Sequence, residues 1–262
     1  ASAGALGQWR ARVKPICASC GTEQRTRAAF CRRCGAALTA GAEAPASAKP
    51  GPVSVRTGTR VLWLALGAYA VLLVANLASM LGRVDLAELR VIQLVLAAAA
   101  LGTFFAAPRW SALRSLGTFA SFEGLSLGVV GRIALGVLGA LGAAWLLGLV
   151  WHTVDAELMA LYRAQGQSKL LAFADGSVIA PVLEETVFRG IVLGALVAPL
   201  GRSGALWTSS LMFATLHLTP LTVVHHTLLG LTCGYARLKS RGLVVPMGIH
   251  AGYNTLVLAL AW

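Results

Sequence analysis

SVIAPVLEETVFRGIVLGALVAP, residues 177–199, is an apolar run that encloses Pro181, two adjacent glutamates and one arginine. A helix needs about 20 such residues to cross a bilayer core, and a charged group at that depth costs ~2.5–3.5 kcal/mol or more. Glu184, Glu185 and Arg189 therefore read as groups turned toward a protein interior, where intramembrane charges mark function. At about 100° per residue, Glu185 and Arg189 stand roughly 40° apart on one helix face and can pair, with the glutamate in the favourable N-terminal place. Glu184 lies roughly 140° from Arg189 and has no partner on its own helix. One carboxylate is thus neutralised by an ion pair, while the other is left to a different helix or to water. Such unequal environments are how acid and base roles become divided between two carboxylates. Pro181 removes a helix hydrogen bond just upstream and loosens the backbone there.

The rest of the 262-residue chain has the same character: 57% of its residues are hydrophobic and 12% charged, with a mean hydropathy of +0.73. A soluble domain carries about 25% charged residues, so the bilayer is the natural solvent here. Seven apolar stretches are expected to form a transmembrane helix bundle, at about 61–81, 89–107, 125–150, 171–198, 204–218, 221–238 and 243–261. Polar residues interrupt the fourth to sixth of these, which could be tilted or broken. With the N-terminus inside, segments 1–60, 108–124, 199–203 and 239–242 carry the excess of Lys and Arg, while the connections near 82–88, 151–170 and 219–220 are balanced. The positive-inside rule then predicts a cytoplasmic N-terminus and an external C-terminus, and the Ala-, Gly- and Arg-rich composition points to a bacterial inner membrane as the expected location. Residues 108–124 suit an interfacial elbow.

Ahead of the bundle lies a basic head. Residues 1–60 hold ten Lys or Arg against Glu23 and Glu43, a balance suited to the anionic inner leaflet. On charge alone nucleic acid is a second candidate partner, but it is not the expected one. Within residues 14–38, C-A-S-C-G and C-R-R-C-G place Cys17, Cys20, Cys31 and Cys34 as two paired knuckles. Four thiolates at this spacing predict a closed structural zinc ribbon, whose folding is driven by the metal because the head is too short for its own core. Residues 39–58, rich in Ala, Pro, Gly and Ser, read as a flexible linker to the membrane domain at 60–262. The fifth cysteine, Cys233, reads as a small hydrophobe. No charged-then-apolar leader precedes the head, and no cleavable signal peptide is expected.

Further polar groups follow the glutamates. Phe213 and His217 lie four apart in SSLMFATLHLTP, and His250 and Asn254 lie four apart in PMGIHAGYNTLVL. Any one alone reads as a satisfied interhelical hydrogen bond; on three helices of one small bundle they read as a site. E-E-x-x-x-R, F-x-x-x-H and H-x-x-x-N, in that order over 171–261, resemble the three motifs of the CPBP intramembrane proteases. That family takes in the type II CAAX prenyl endopeptidases and the lysostaphin-resistance-like (ABI) proteins. The resemblance implies an all-α membrane endopeptidase. It casts Glu184 and His217 as activating water, His250 and Asn254 as holding the oxyanion, and Glu185 and Arg189 as a supporting pair.

The chemistry is self-consistent, because peptide hydrolysis needs a base for water and donors for the oxyanion. No H-E-x-x-H pair is present, so a zincin site is not supported. A catalytic metal on Glu184, His217 and His250 is not required, although carboxylate and imidazole would suit zinc. His225 and His226 are adjacent, so only one is expected to face inward; His152 is expected in an outer loop. The expected partners are a membrane-associated peptide or protein substrate, the bilayer, and a protein recruited by the ribbon. The competing readings are a non-catalytic scaffold or bacteriocin-immunity protein and, third, a proton-relay transporter. The ribbon itself is tested by metal analysis: the purified full chain should hold one zinc, and Cys20→Ser should lose it; a chain that is folded yet zinc-free would refute the ribbon.

Overall fold

The computed structural model describes residues 16, 17, 22, 31, 55–106, 118–150, 154–218 and 222–261. Cys17 and Cys31 are buried, but Cys20 and Cys34 lie outside the described residues, as do residues 39–54 of the expected linker, His152 and much of the expected elbow; residues 55–58, expected in the linker, instead open the first helix. Among the described residues the architecture is all-helical, with isolated bridges and no extended strand. The helices are α1 (Val55–Met80), α2 (Leu86–Ala106), α3 (Leu127–Val150), α4 (Val154–Ala164), α5 (Lys169–Ala174), α6 (Ala180–Glu185), α7 (Leu193–Thr215), α8 (Val223–Ser240) and α9 (Val244–Ala261).

These helices answer the apolar stretches with three differences. Leu86–Ala106 and Leu127–Gly148 are long and apolar enough to cross a membrane, whereas Val244–Leu260 is a shorter apolar helix. The connection expected at 199–203 shrinks to one non-helical residue, Gly201 (φ 70°, ψ 174°), inside α7. Glycine takes this left-handed φ without a Cβ penalty. The expected outer loop 151–170 contains α4, a short helix whose Met159 and Tyr162 are buried.

The fourth stretch is broken as its polar residues suggested. A π turn, Asp175–Ile179, joins α5 to α6, and a second, Thr186–Val192, joins α6 to α7. Pro181, in the first turn of α6, has no N–H to give. In the i→i−5 pattern of the preceding π turn, its missing bond would have gone to the Gly176 carbonyl. The Asn254 amide of α9 donates to that carbonyl at 2.7 Å and fills the gap.

α8 packs along both α7 and α3, and α9 lies against α8, α6 and the first π turn. The core joins Leu183, Val187 and Phe188 to Phe213, Leu229 and Cys233. Outward, α3 exposes Leu127, Leu135, Leu138, Trp145 and Leu146, and α1 exposes Trp63, Val71 and Val74. Charge at the centre with bulky apolar groups outside is the inverse of a water-soluble surface and suits lipid. At one end, the Phe119 carbonyl accepts from the backbone N–H groups of Leu243 (2.7 Å) and Val244 (3.0 Å). The buried Arg237 guanidinium donates to the Thr118 carbonyl at 3.2 Å.

The α7–α8 approach is close enough to need a glycine. A Cβ on Gly230 would lie 3.0 Å from Ser210 Cβ and 3.1 Å from Ser210 Cα, an atom of the α7 backbone that cannot swing away. Gly230→Val should therefore cost about 1–3 kcal/mol by overpacking and lower Tm in detergent by several degrees. Gly139→Ala, where nothing lies within 4 Å, should leave Tm unchanged. Equal Tm for both variants would mean the helices are not held at this spacing.

Candidate active site

Three of the predicted groups meet on one carboxylate oxygen. Glu185 Oε1 lies 3.1 Å from Arg189 Nη1 and 2.8 Å from His250 Nδ1, with Glu185 and Arg189 fully buried. The Glu185–Arg189 pair is thus present as the helical spacing predicts, although Nη1 is not aligned for a hydrogen bond. The guanidinium donates instead to the Gly230 carbonyl at 3.1 Å and lies with Cζ 4.5 Å from the centroid of the Phe213 ring. Close approach of α8 at Gly230 therefore serves both packing and the neutralisation of Arg189.

A carboxylate only accepts, so His250 Nδ1 carries the proton it donates to Glu185, and Nε2 points the other way. There it meets Glu184 Oε2 at 3.8 Å. Glu184 keeps 13% of its side chain exposed and lines a cavity of about 260 Å³ that His217, His226 and Asn254 also line. The adjacent glutamates thus part company: Glu185 is sealed in a dry ion pair, while Glu184 faces the cavity. At about 30 Å³ of liquid volume per water, the cavity has room for several waters.

Phe213 gathers the imidazoles. Its ring centroid lies 5.2 Å from His217, 5.4 Å from His250 and 5.9 Å from His226, each edge-on. His217 stands where α7 unwinds: Leu218 turns left-handed at φ 56°, and the Asn76 amide of α1 donates to the Leu216 carbonyl at 3.1 Å. His217 Nδ1 donates to the Phe213 carbonyl at 3.2 Å, so the neutral ring carries its lone pair on Nε2.

Two groups depart from the sequence reading. His225 and His226 both line the cavity, where only one was expected inward; the His226 ring stacks on His217 at 3.5 Å between centroids. The helix begins at Val223, preceded by a short turn at Thr222, and its first turn faces the cavity end-on. The second departure is Asn254, whose amide is engaged by Gly176; only its second N–H remains for a ligand. The sequence reading also missed Asp175, Arg90 and Tyr162. Arg90 Nε and Nη2 each lie 2.7 Å from an Asp175 oxygen, the Tyr162 hydroxyl donates to Asp175 Oδ2 at 2.8 Å, and all three line the cavity. Asp175 stands nine residues before Glu184 in the same apolar stretch, and that intramembrane charge was the available signal. Among the described residues no three His, Cys, Asp or Glu side chains converge to hold a metal.

A second, apolar groove of about 620 Å³ runs between α1, α2 and α6. Its lining neighbours that of the cavity in sequence: Leu72 stands four residues before Asn76, Leu96 three after Gln93, and Leu183 next to Glu184.

Residues 166–256 match the family described as type II CAAX prenyl endopeptidase Rce1-like, a span that contains every motif residue of the site. The chain is 30% identical over 84 residues to a Bacillus subtilis protein named "Putative membrane peptidase YdiL", covering 32% of this chain and 34% of that one. It is 36% identical over 89 residues to an Escherichia coli protein named "Uncharacterized 24.3 kDa protein", covering 30% of this chain and 39% of that one. The matches thus span little more than a third of each curated relative. No solved structure matches.

Removing one partner of a buried ion pair typically costs about 3–5 kcal/mol, because a charge is left behind. Glu185→Gln should therefore lower Tm and yield sharply, and Glu185→Gln with Arg189→Gln should recover part of the loss. Thermal unfolding in detergent checks this; a single variant as stable as the parent would dissolve the pair's structural role.

Proposed function

We propose that the chain is an intramembrane endopeptidase that hydrolyses peptide bonds of membrane-associated substrates with water activated by Glu184 and His217. The observation that carries the proposal is the division of the glutamates, with Glu185 locked between Arg189 and His250 and Glu184 left facing the cavity. A base must reach water, and Glu184 is the carboxylate of the pair that can.

In this reading Glu184 takes a proton from a water that also hydrogen-bonds the His217 Nε2 lone pair. The resulting hydroxide adds to the scissile carbonyl. Negative charge develops on the carbonyl oxygen, within reach of the second Asn254 N–H and of the His250 ring. Glu185 holds the orientation of that ring through Nδ1, and a preorganised oxyanion donor is worth roughly 10²–10³ in rate. Collapse of the tetrahedral intermediate breaks the C–N bond, and the proton held by Glu184 passes to the leaving amine. The apolar groove between α1, α2 and α6 suits the part of a substrate that stays in the bilayer. The family match over 166–256 supports a peptidase, with CAAX-type peptides as one candidate substrate. The head is read as a cytoplasmic zinc ribbon that recruits a partner.

Glu184→Gln keeps shape and hydrogen bonding but cannot accept the proton. It should lower peptide cleavage by at least ~10²-fold while leaving Tm close to that of the parent, measured in proteoliposomes with a fluorogenic peptide library. Near-normal cleavage by Glu184→Gln would remove the catalytic assignment and promote a non-catalytic scaffold or immunity protein.

A further inference from the structure

The cavity sits at one end of the bundle. Its lining comes from the end of α1 (Asn76, Ser79), the start of α2 (Leu86, Arg90), the end of α7 (His217), the start of α8 (His225) and the second half of α9 (Asn254, Leu258). Every helix that contributes does so near the same end, because successive helices alternate in direction.

Charge is distributed unequally between the two ends. The cavity end holds Arg83, Arg90, Arg163 and Lys169 against Asp85, Glu88 and Asp175. The opposite end holds Arg132, Arg202, Arg237, Lys239 and Arg241 against Glu123. The sequence between α2 and Thr118 carries Arg109 and Arg114 as well. At the basic end, Arg132 Nη1 donates to the Tyr235 hydroxyl at 2.8 Å, and Lys239 Nζ lies 5.5 Å from the centroid of the same ring. A tyrosine flanked by cations is the dress of a membrane–water interface.

Loops rich in Lys and Arg stay on the cytoplasmic side, and acidic residues contribute little to this preference. We infer that the cavity opens on the non-cytoplasmic face of the membrane, and that its substrates are peptide segments exposed on that face or reaching it from the bilayer. This deepens the endopeptidase reading and rests on it: the substrate class becomes extracytoplasmic peptide rather than a cytoplasmic polypeptide tail. The charge balance suits such a ligand, since Arg90 is neutralised by Asp175 and the mouth carries no excess of positive charge.

The experiment uses the full chain, with cysteines introduced one at a time at exposed positions outside the site. Gln165→Cys and Lys169→Cys lie at the cavity end, and Ser203→Cys and Lys239→Cys at the basic end. Intact spheroplasts are treated with a membrane-impermeant maleimide, with the parent chain and its native cysteines as the baseline. The first two variants should gain label above that baseline, and the last two should gain it only after permeabilisation. The reverse pattern overturns the inference, and so does equal labelling of all four. Peptide is then supplied to right-side-out and to inside-out vesicles, and cleavage is expected in the right-side-out preparation alone. Cleavage only in inside-out vesicles overturns the inference while leaving the endopeptidase reading intact. The expected labelling with cleavage from neither side sinks the endopeptidase reading, and the substrate assignment with it, while the orientation stands.

Discussion

One carboxylate oxygen, Glu185 Oε1, holds the site together. It is shared by a guanidinium on its own helix and an imidazole from α9, and both Glu185 and Arg189 are fully buried. A buried charge without partners is strongly destabilising, so α6, the second π turn and α9 are bound to assemble in one arrangement. Arg189 in turn requires the Gly230 carbonyl of α8 and the face of Phe213 on α7. Five elements therefore converge on a single neutralised charge, and the position of His250 Nε2 beside Glu184 follows from it.

The other ordering element is backbone rather than charge. A proline in the first turn of α6 withholds one N–H, a widened turn leaves the Gly176 carbonyl without its donor, and an asparagine from α9 supplies the replacement. The same asparagine still has a hydrogen to offer toward the cavity. Structural repair and ligand recognition are thus assigned to two N–H bonds of one amide. Phe213 has a comparable double use, taking the edges of three imidazoles around its rim and a guanidinium over its face.

Much of this was legible in the amino-acid order, for a physical reason. Charges inside an apolar helix are so costly that their presence announces a partner, and four-residue spacing says where on the helix that partner lies. Glu185 with Arg189, and the isolation of Glu184, came from that argument alone. The positions of the helices came from apolar length. The argument failed where helical periodicity stops being uniform. Gly201 ends a helix turn with one residue, so the expected connection at 199–203 contracted. The start of α8 faces the cavity end-on, so neighbouring His225 and His226 both reach it. Asp175 and Arg90 went unseen as a pair because they lie 85 positions apart and no short-range spacing relates them.

The two π turns carry an implication for how this segment varies among related chains. A π turn holds one more residue than the α turn it replaces, and a single-codon insertion into an ordinary helix can make one. Removing a residue from Asp175–Ile179 would rotate everything before it by about 100° relative to Glu184, carrying Asp175 away from Arg90 while sparing the glutamates. Removing one from Thr186–Val192 would instead turn the whole of α7, and His217 with it, out of step with Glu184. The first turn is thus a place where length can drift and alter the rim of the cavity, while the second sets a register that the chemistry does not let go.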